Sequence, residues 1–177
     1  MTLGNRAKLV WGNDGLEKLD CRNLEKFNFS SSDLEILCKV GLPSWCAPNI
    51  HLHPIESFAS FYDIKDYITI GSDRDNNDIE LAIADGKIRS SNGKGKVLII
   101  ANSIEEFFEL LLIYAEFIDK YINDNPGFNF SNTFPEVKAI HVLINDMERI
   151  TPNLMQTHEW WGLHLNKLIK QDQKYFD

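Results

Sequence analysis

The spacing of apolar residues changes along this chain, and each change marks a different kind of element. Tyr67-Ile-Thr-Ile-Gly-Ser-Asp73 is a short β-type run, and Ile79-Glu-Leu-Ala-Ile-Ala84 alternates with the period of two expected of a half-buried strand. Between them lies the polar loop Asp73-Arg-Asp-Asn-Asn-Asp78. Asp85-Gly86 predicts a type I′ hairpin turn, because both central positions of that turn require positive φ, with Lys87-Ile-Arg-Ser90 as the return strand. A second turn at Asn92-Gly93 leads into Val97-Leu-Ile-Ile-Ala101, a strand of the buried type. From Ile104 the period lengthens. Phe107, Phe108, Leu111, Tyr114, Ala115, Ile118 and Ile122 share one broad helical face, with acids over much of the other. Ser103 is placed to cap the N–H of Glu106 while Glu106 reaches back, and Asn125-Pro-Gly127 ends the helix.

The flanks are less regular. Ala7-Lys-Leu-Val-Trp11 suggests a short helix ended by Gly12 to Gly15, and Leu16, Leu19, Leu24 and Phe27 suggest a loose second element. Ser30 to Asp33 offer caps for a helix with Leu34, Leu37 and Cys38 inward, stopped by Gly41-Leu-Pro43. Ser44 to Pro54, with two prolines and Trp45, reads as irregular, and Phe58 to Tyr62 as a strand. Pro135 suits the first turn of another helix, carrying Val137, Ile140, Leu143, Ile144 and Met147. Thr151-Pro152 breaks it, and a last helix from near Thr157 to Lys170 presents Trp160, Trp161, Leu165, Leu168 and Ile169. The expected architecture is α+β, an antiparallel curved sheet built as a strand meander with helices packed against it. At 177 residues, a single domain over 1–177 is expected.

Charge adds a direction to this picture. The formal net charge is −8, and the segment from Ser103 to Asp146 carries eight acids against Lys120 and Lys138, so it holds −6 of that total. Such a balance argues against nucleic-acid binding, which needs clustered Lys and Arg to neutralise phosphates. It suits a basic protein partner drawn by complementary potential, as well as a plain solvated face. No apolar run reaches the roughly 20 residues that span a bilayer. The first residues, Met1-Thr-Leu-Gly-Asn-Arg-Ala-Lys8, lack a secretory pattern, and the expectation is a cytoplasmic protein. Cys21, Cys38 and Cys46 are odd in number and show no familiar spacing, which predicts buried free thiols.

Tests for chemistry return little. Asp73-x-Asp75-x-Asn77 begins like a calcium loop, but Asp78 stands where Gly is needed and Ala84 where a bidentate Glu belongs. His51-x-His53, with Cys46 and Cys38 upstream, has a metal-like flavour, yet Pro48 and Pro54 bracket it and favour a loop. It is the basis of an alternative, a small metal-dependent hydrolase. Gly93-Lys-Gly-Lys96 lacks the spacing of a phosphate loop and precedes a strand, which makes it a hairpin tip. His158, Trp160, Trp161 and His164 read as core, and there is no Gly-x-Ser-x-Gly elbow. No catalytic set, cofactor site or metal site is expected.

Several segments taken in order resemble the SUKH superfamily, the SMI1/KNR4-like fold, and within it the SUKH-4 group of bacterial immunity proteins. They are Leu37-Cys-Lys-Val-Gly41-Leu42-Pro43, Tyr67-Ile-Thr-Ile-Gly71-Ser72-Asp73, the strand and turn from Ile79 to Gly86, and Ala101-Asn102-Ser103-Ile-Glu-Glu-Phe107. The Thr151-Pro152 break and Trp160 fit the same layout, so the similarity covers most of 34–168. The resemblance implies an immunity protein that binds a cognate polymorphic toxin domain, a nuclease or deaminase with a basic surface, and blocks it by stoichiometric contact without a cofactor. Members of the superfamily also serve as general scaffold or regulatory interaction domains. Candidate contact residues are the acids Asp73, Asp75 and Asp78, the pair Glu105 and Glu109, and Trp45 as an apolar anchor.

Overall fold

Six strands follow one another across a single antiparallel sheet in chain order, the simplest topology that sequential hairpins can produce. The computed structural model of the chain describes residues 1–24, 27, 29–54, 66–93, 95–128 and 135–173. A small two-stranded sheet, β1 (Leu16–Glu17) with β2 (Leu42–Pro43), precedes the main one. The main sheet comprises β3 (Trp45–Cys46), β4 (Ile50–Leu52), β5 (Tyr67–Ser72), β6 (Asp78–Ala82), β7 (Ile88–Ser91) and β8 (Val97–Ala101). Among the described residues the α-helices are α1 (Leu3–Trp11), α2 (Ser31–Glu35, continued as a π-turn over Ile36–Val40), α3 (Ile104–Asp124), α4 (Val137–Glu148), α5 (Leu154–Thr157) and α6 (Glu159–Gln173). The expected α+β meander with helices packed against it is therefore the observed architecture. The predicted strand from Phe58 to Tyr62 lies outside the described residues.

The longest helix sits where the period changes. Ser103 Oγ accepts the N–H of Glu106 at 3.0 Å, and Glu105 and Glu106 place negative charge at the positive end of the helix. Glu106 reaches back as expected, but to the N–H of Asn102 rather than of the capping residue. Phe107, Phe108, Leu110, Leu111 and Leu112 are completely buried. The buried stripe wraps further round the first half of the helix than predicted and is lost in the last turn, where Ile122 is exposed. At the far end the N–H of Asn125 bonds Tyr121 O at 3.0 Å, and Pro126 cannot extend the ladder. The inner face of the sheet, with Ile68, Ile70, Ile79, Leu81, Ile88 and Ile100, closes this core. Trp161 of α6 is buried against it and donates its indole N–H to Ile100 O at 3.0 Å.

Four local expectations are corrected. Cys21 and Cys38 are joined in a disulfide, their Cα atoms 5.6 Å apart, and Cys46 alone is a buried free thiol. The short 3-10 turn Cys21–Leu24 lies beside the end of α2, where the N–H of Leu19 bonds Leu37 O at 2.8 Å. Spacing along the chain does not show that adjacency. The π-turn also rotates the end of α2, so that Ile36, Leu37 and Val40 are the buried residues, while Leu34 and Cys38 are only partly covered. Ser44 to Pro54 is not irregular but a hairpin, β3–β4, turned by cis Pro48 and by Asn49 at φ 61°. The turn between β6 and β7 is wider than type I′. Gly86 alone takes positive φ, at 72°, and the N–H of Ala82 bonds Lys87 O at 2.8 Å.

Three glycines, Gly15, Gly71 and Gly162, sit where a Cβ would meet backbone oxygen, and Gly71 lies in the main sheet. A Cβ on Gly71 would lie 2.1 Å from His51 O, at the irregularity where β4 joins β5. Thiol titration in denaturant should give one reactive thiol per chain without reductant and three after reduction. Three thiols before reduction would contradict the pairing. Trp161→Ala should cost about 3–5 kcal/mol in denaturant unfolding.

Candidate functional site

Side chains directly opposite one another in antiparallel strands point to the same face, so the register shows which residues share the outer surface of the sheet. Trp45 pairs with His51, His51 with Ser72, Ser72 with Asp78, Asp78 with Ser91 and Ser91 with Val97. This is one continuous row across all six strands. Five inter-strand spacings make it about 24 Å long, with Trp45 about 14 Å from Asp78. A second row runs Thr69, Glu80, Arg89, Ile99, and Tyr67 stands beyond it opposite Ala82. Arg89 Nε donates to Glu80 Oε2 at 2.7 Å, and its guanidinium carbon lies 3.2 Å from the centre of the Tyr67 ring. Both long side chains are thereby held flat on the sheet. Trp45 is 55% exposed, and Tyr67 and Val97 are exposed as well. Among the described residues the helices take the other face, while Trp45, His51, Asp78 and Val97 of this one are exposed.

The sequence candidates divide. Trp45 and Asp78 stand in the outer row, and Asp75 is exposed in the adjoining β5–β6 turn. Glu105 and Glu109 are partly exposed and lie on α3 in the helical layer, so they do not join that row. Asp73 is a correction. It is 6% exposed, and its carboxylate is occupied by the protein itself. Oδ1 accepts the N–H groups of Asp75 and Asn77, both at 3.0 Å. Oδ2 accepts Asn77 Nδ2 at 3.1 Å, Ser90 Oγ at 3.0 Å and Trp160 Nε1 at 3.2 Å. Burial pushes this carboxyl up, but the hydrogen bonds outweigh it and hold it below the usual aspartate range. A loop carboxylate of this kind has the same sequence signature as an exposed one, because two of its partners are 17 and 87 residues away.

His51 is also corrected, from loop to strand: it lies on β4 with its ring 6.4 Å from that of Trp45. Cys46, next to Trp45, points to the opposite, buried side. Among the described residues no group of three His, Cys, Asp or Glu side chains is placed to hold a metal ion. None of their helices is long and apolar enough to cross a membrane.

Two buried polar clusters fasten the last helices to the rest, and neither was foreseen. Glu106 accepts from Thr151 Oγ1 and lies 3.4 Å from His158 Nε2, while Asn102 Nδ2 is 3.1 Å and Thr157 Oγ1 2.9 Å from that same imidazole. Burial pushes the Glu106 carboxyl up, but the bonds from His158, Thr151 and the Asn102 N–H bring it down to about 2. In the second cluster the His164 ring stacks on Trp160 at 12° and its Nε2 is 3.0 Å from the Tyr114 hydroxyl. Burial, with help from Lys167 and Arg74, lowers His164 to about 4.

Compared with known protein families, with curated proteins and with solved structures, the chain matches none.

Both clusters make the fold acid-sensitive, over different ranges. A buried neutral imidazole favours the native state above its unfolded value near 6.5, and that contribution is lost as pH falls toward 4. Glu106 contributes above about 4.5 and loses its contribution as pH falls toward 2. Unfolding free energy should therefore decline in two stages, each on the order of 2 kcal/mol. His164→Phe should remove the upper stage and Glu106→Gln the lower one, and a single unaltered stage in either variant would contradict the assignment.

Proposed function

We propose that the protein is an immunity protein of the SUKH type, which binds a cognate toxin domain and blocks it by stoichiometric contact. The observation that carries this reading is the outer sheet face, a rigid platform about 24 Å across with an exposed tryptophan at one end. Surfaces that bind proteins concentrate their energy in a few large aromatic or arginine side chains ringed by polar groups. Trp45 at the edge, Tyr67 under Arg89, and the polar residues Thr69, Ser72 and Ser91 match that composition. Asp75 and Asp78 supply negative potential beside it, suited to a nuclease or deaminase domain whose own substrate requires a basic surface. Glu105 and Glu109, away from this platform, add to the long-range field only. The order of segments that resembles the SUKH-4 group supports the same role. A general scaffold of that fold is the alternative, and the partner's identity separates the two.

The test is co-expression with any toxin domain found encoded beside this protein. The chain should restore growth and co-purify with the toxin in equal amounts. Trp45→Ala should weaken the complex by about 2 kcal/mol or more, roughly thirtyfold, mainly through faster dissociation. Lys at both 75 and 78 should slow association about tenfold and flatten its salt dependence. Failure to bind any neighbouring toxin domain would leave the scaffold role in its place.

A further inference from the structure

The helical layer carries a second open surface, which the sheet platform does not explain. Between α3 and α4 lies a groove of about 620 Å³ whose walls include Ile113, Phe117, Val142 and Ile150. It follows α3 over the twelve residues from Ile113 to Asp124, a rise of about 16 Å or three helical turns. Val142 in its wall is 56% exposed, although it sits in the middle of a twelve-residue helix. Arg6 donates twice to Glu116 across the end of the groove, at 2.8 and 2.6 Å. Beyond that bridge a second hollow of about 410 Å³ continues along α1 past Leu9 and Val10, with Met1 86% and Leu9 75% exposed. Apolar side chains left open over two adjoining hollows form a patch of the kind that marks an interaction site.

The rim indicates what fits there. Arg6 is committed to Glu116, and Arg149 is bound to Asp146 at 2.9 Å. That leaves Asp119 and Asp124, which carry no salt bridge among the described residues, against Lys120 alone. Burial and the charge of Glu116 push the Asp119 carboxyl up. An incoming cation relieves that crowding. A second copy of this chain presents the same acids to themselves and worsens it.

We propose that this groove is a docking site for a cationic amphipathic helix of a protein partner, with apolar anchors at i, i+3 or i+4 and i+7 laid against Val142 and Phe117 and with Lys or Arg side chains facing Asp119 and Asp124. It is separate from the sheet platform and does not depend on toxin neutralisation.

The probe is a labelled leucine–lysine peptide of about three to four turns, its leucines on one helical face, beside a scrambled peptide of equal composition. Fluorescence anisotropy with the full chain should show the scrambled peptide binding about tenfold more weakly. Val142→Asn, at an exposed position, should weaken the amphipathic peptide about tenfold, as should Asp119→Lys combined with Asp124→Lys. Trp45→Ala should leave its binding unchanged. Amide shifts on titration should fall on 113–124 and 137–150. Equal binding of the two peptides, loss of binding through Trp45 in place of Val142, shifts confined to the sheet strands, or a Val142-dependent dimer of the free chain would each overturn the proposal.

Discussion

A buried carboxylate with five donors is the joint on which this architecture turns. Asp73 stands where β5 gives way to the turn before β6, and it gathers the backbone of that turn, a serine from β7 and an indole from α6. Removing such a group from water is costly unless its oxygens are satisfied, and here all the donors come from the protein. The indole that completes the set is held in turn by an edge-on contact with Trp161, whose own N–H bonds the last strand. The sheet, the turn and the C-terminal helix thus become a single body. The outer face gains rigidity because its hidden side is fastened in this way.

A similar fastening operates at the start of α3. Asp33, buried at the beginning of α2, accepts from Ser30 and from the N–H of Glu105, so one carboxylate caps its own helix and pins the next. Glu106, one residue on, ties α3 to the turn before α5. Acids that a composition count treats as surface charge are here divided between structure and solvent. The negative potential left at the surface is smaller than the −6 of that segment suggests.

The meander and the long helix were legible because their signals are local. Alternation in β6, the cap at Ser103 and the Asn125-Pro126 stop depend on residues within a few positions of one another. The β3–β4 hairpin was not legible, since two prolines near His51 masked strands of only two and three residues. The disulfide and the ties of Asp73 bring together residues far apart in sequence, and no periodicity encodes them. Of the candidate contact residues, Trp45 and Asp78 share the outer row with Asp75 beside it, because the odd positions of short strands fall together once the register is known. Glu105 and Glu109 share only their sign of charge with that group.

Alternation also bears on how such a surface changes over time. Every outward position in the platform is flanked along its strand by inward ones, so its side chain can be exchanged while the packed interior stays as it is. The chemistry of this face can therefore vary by single substitutions without disturbing the fold. Gly71, on the inward side opposite Leu52 and Ile79, is closed to other amino acids, because the backbone of β5 there presses against the His51 carbonyl.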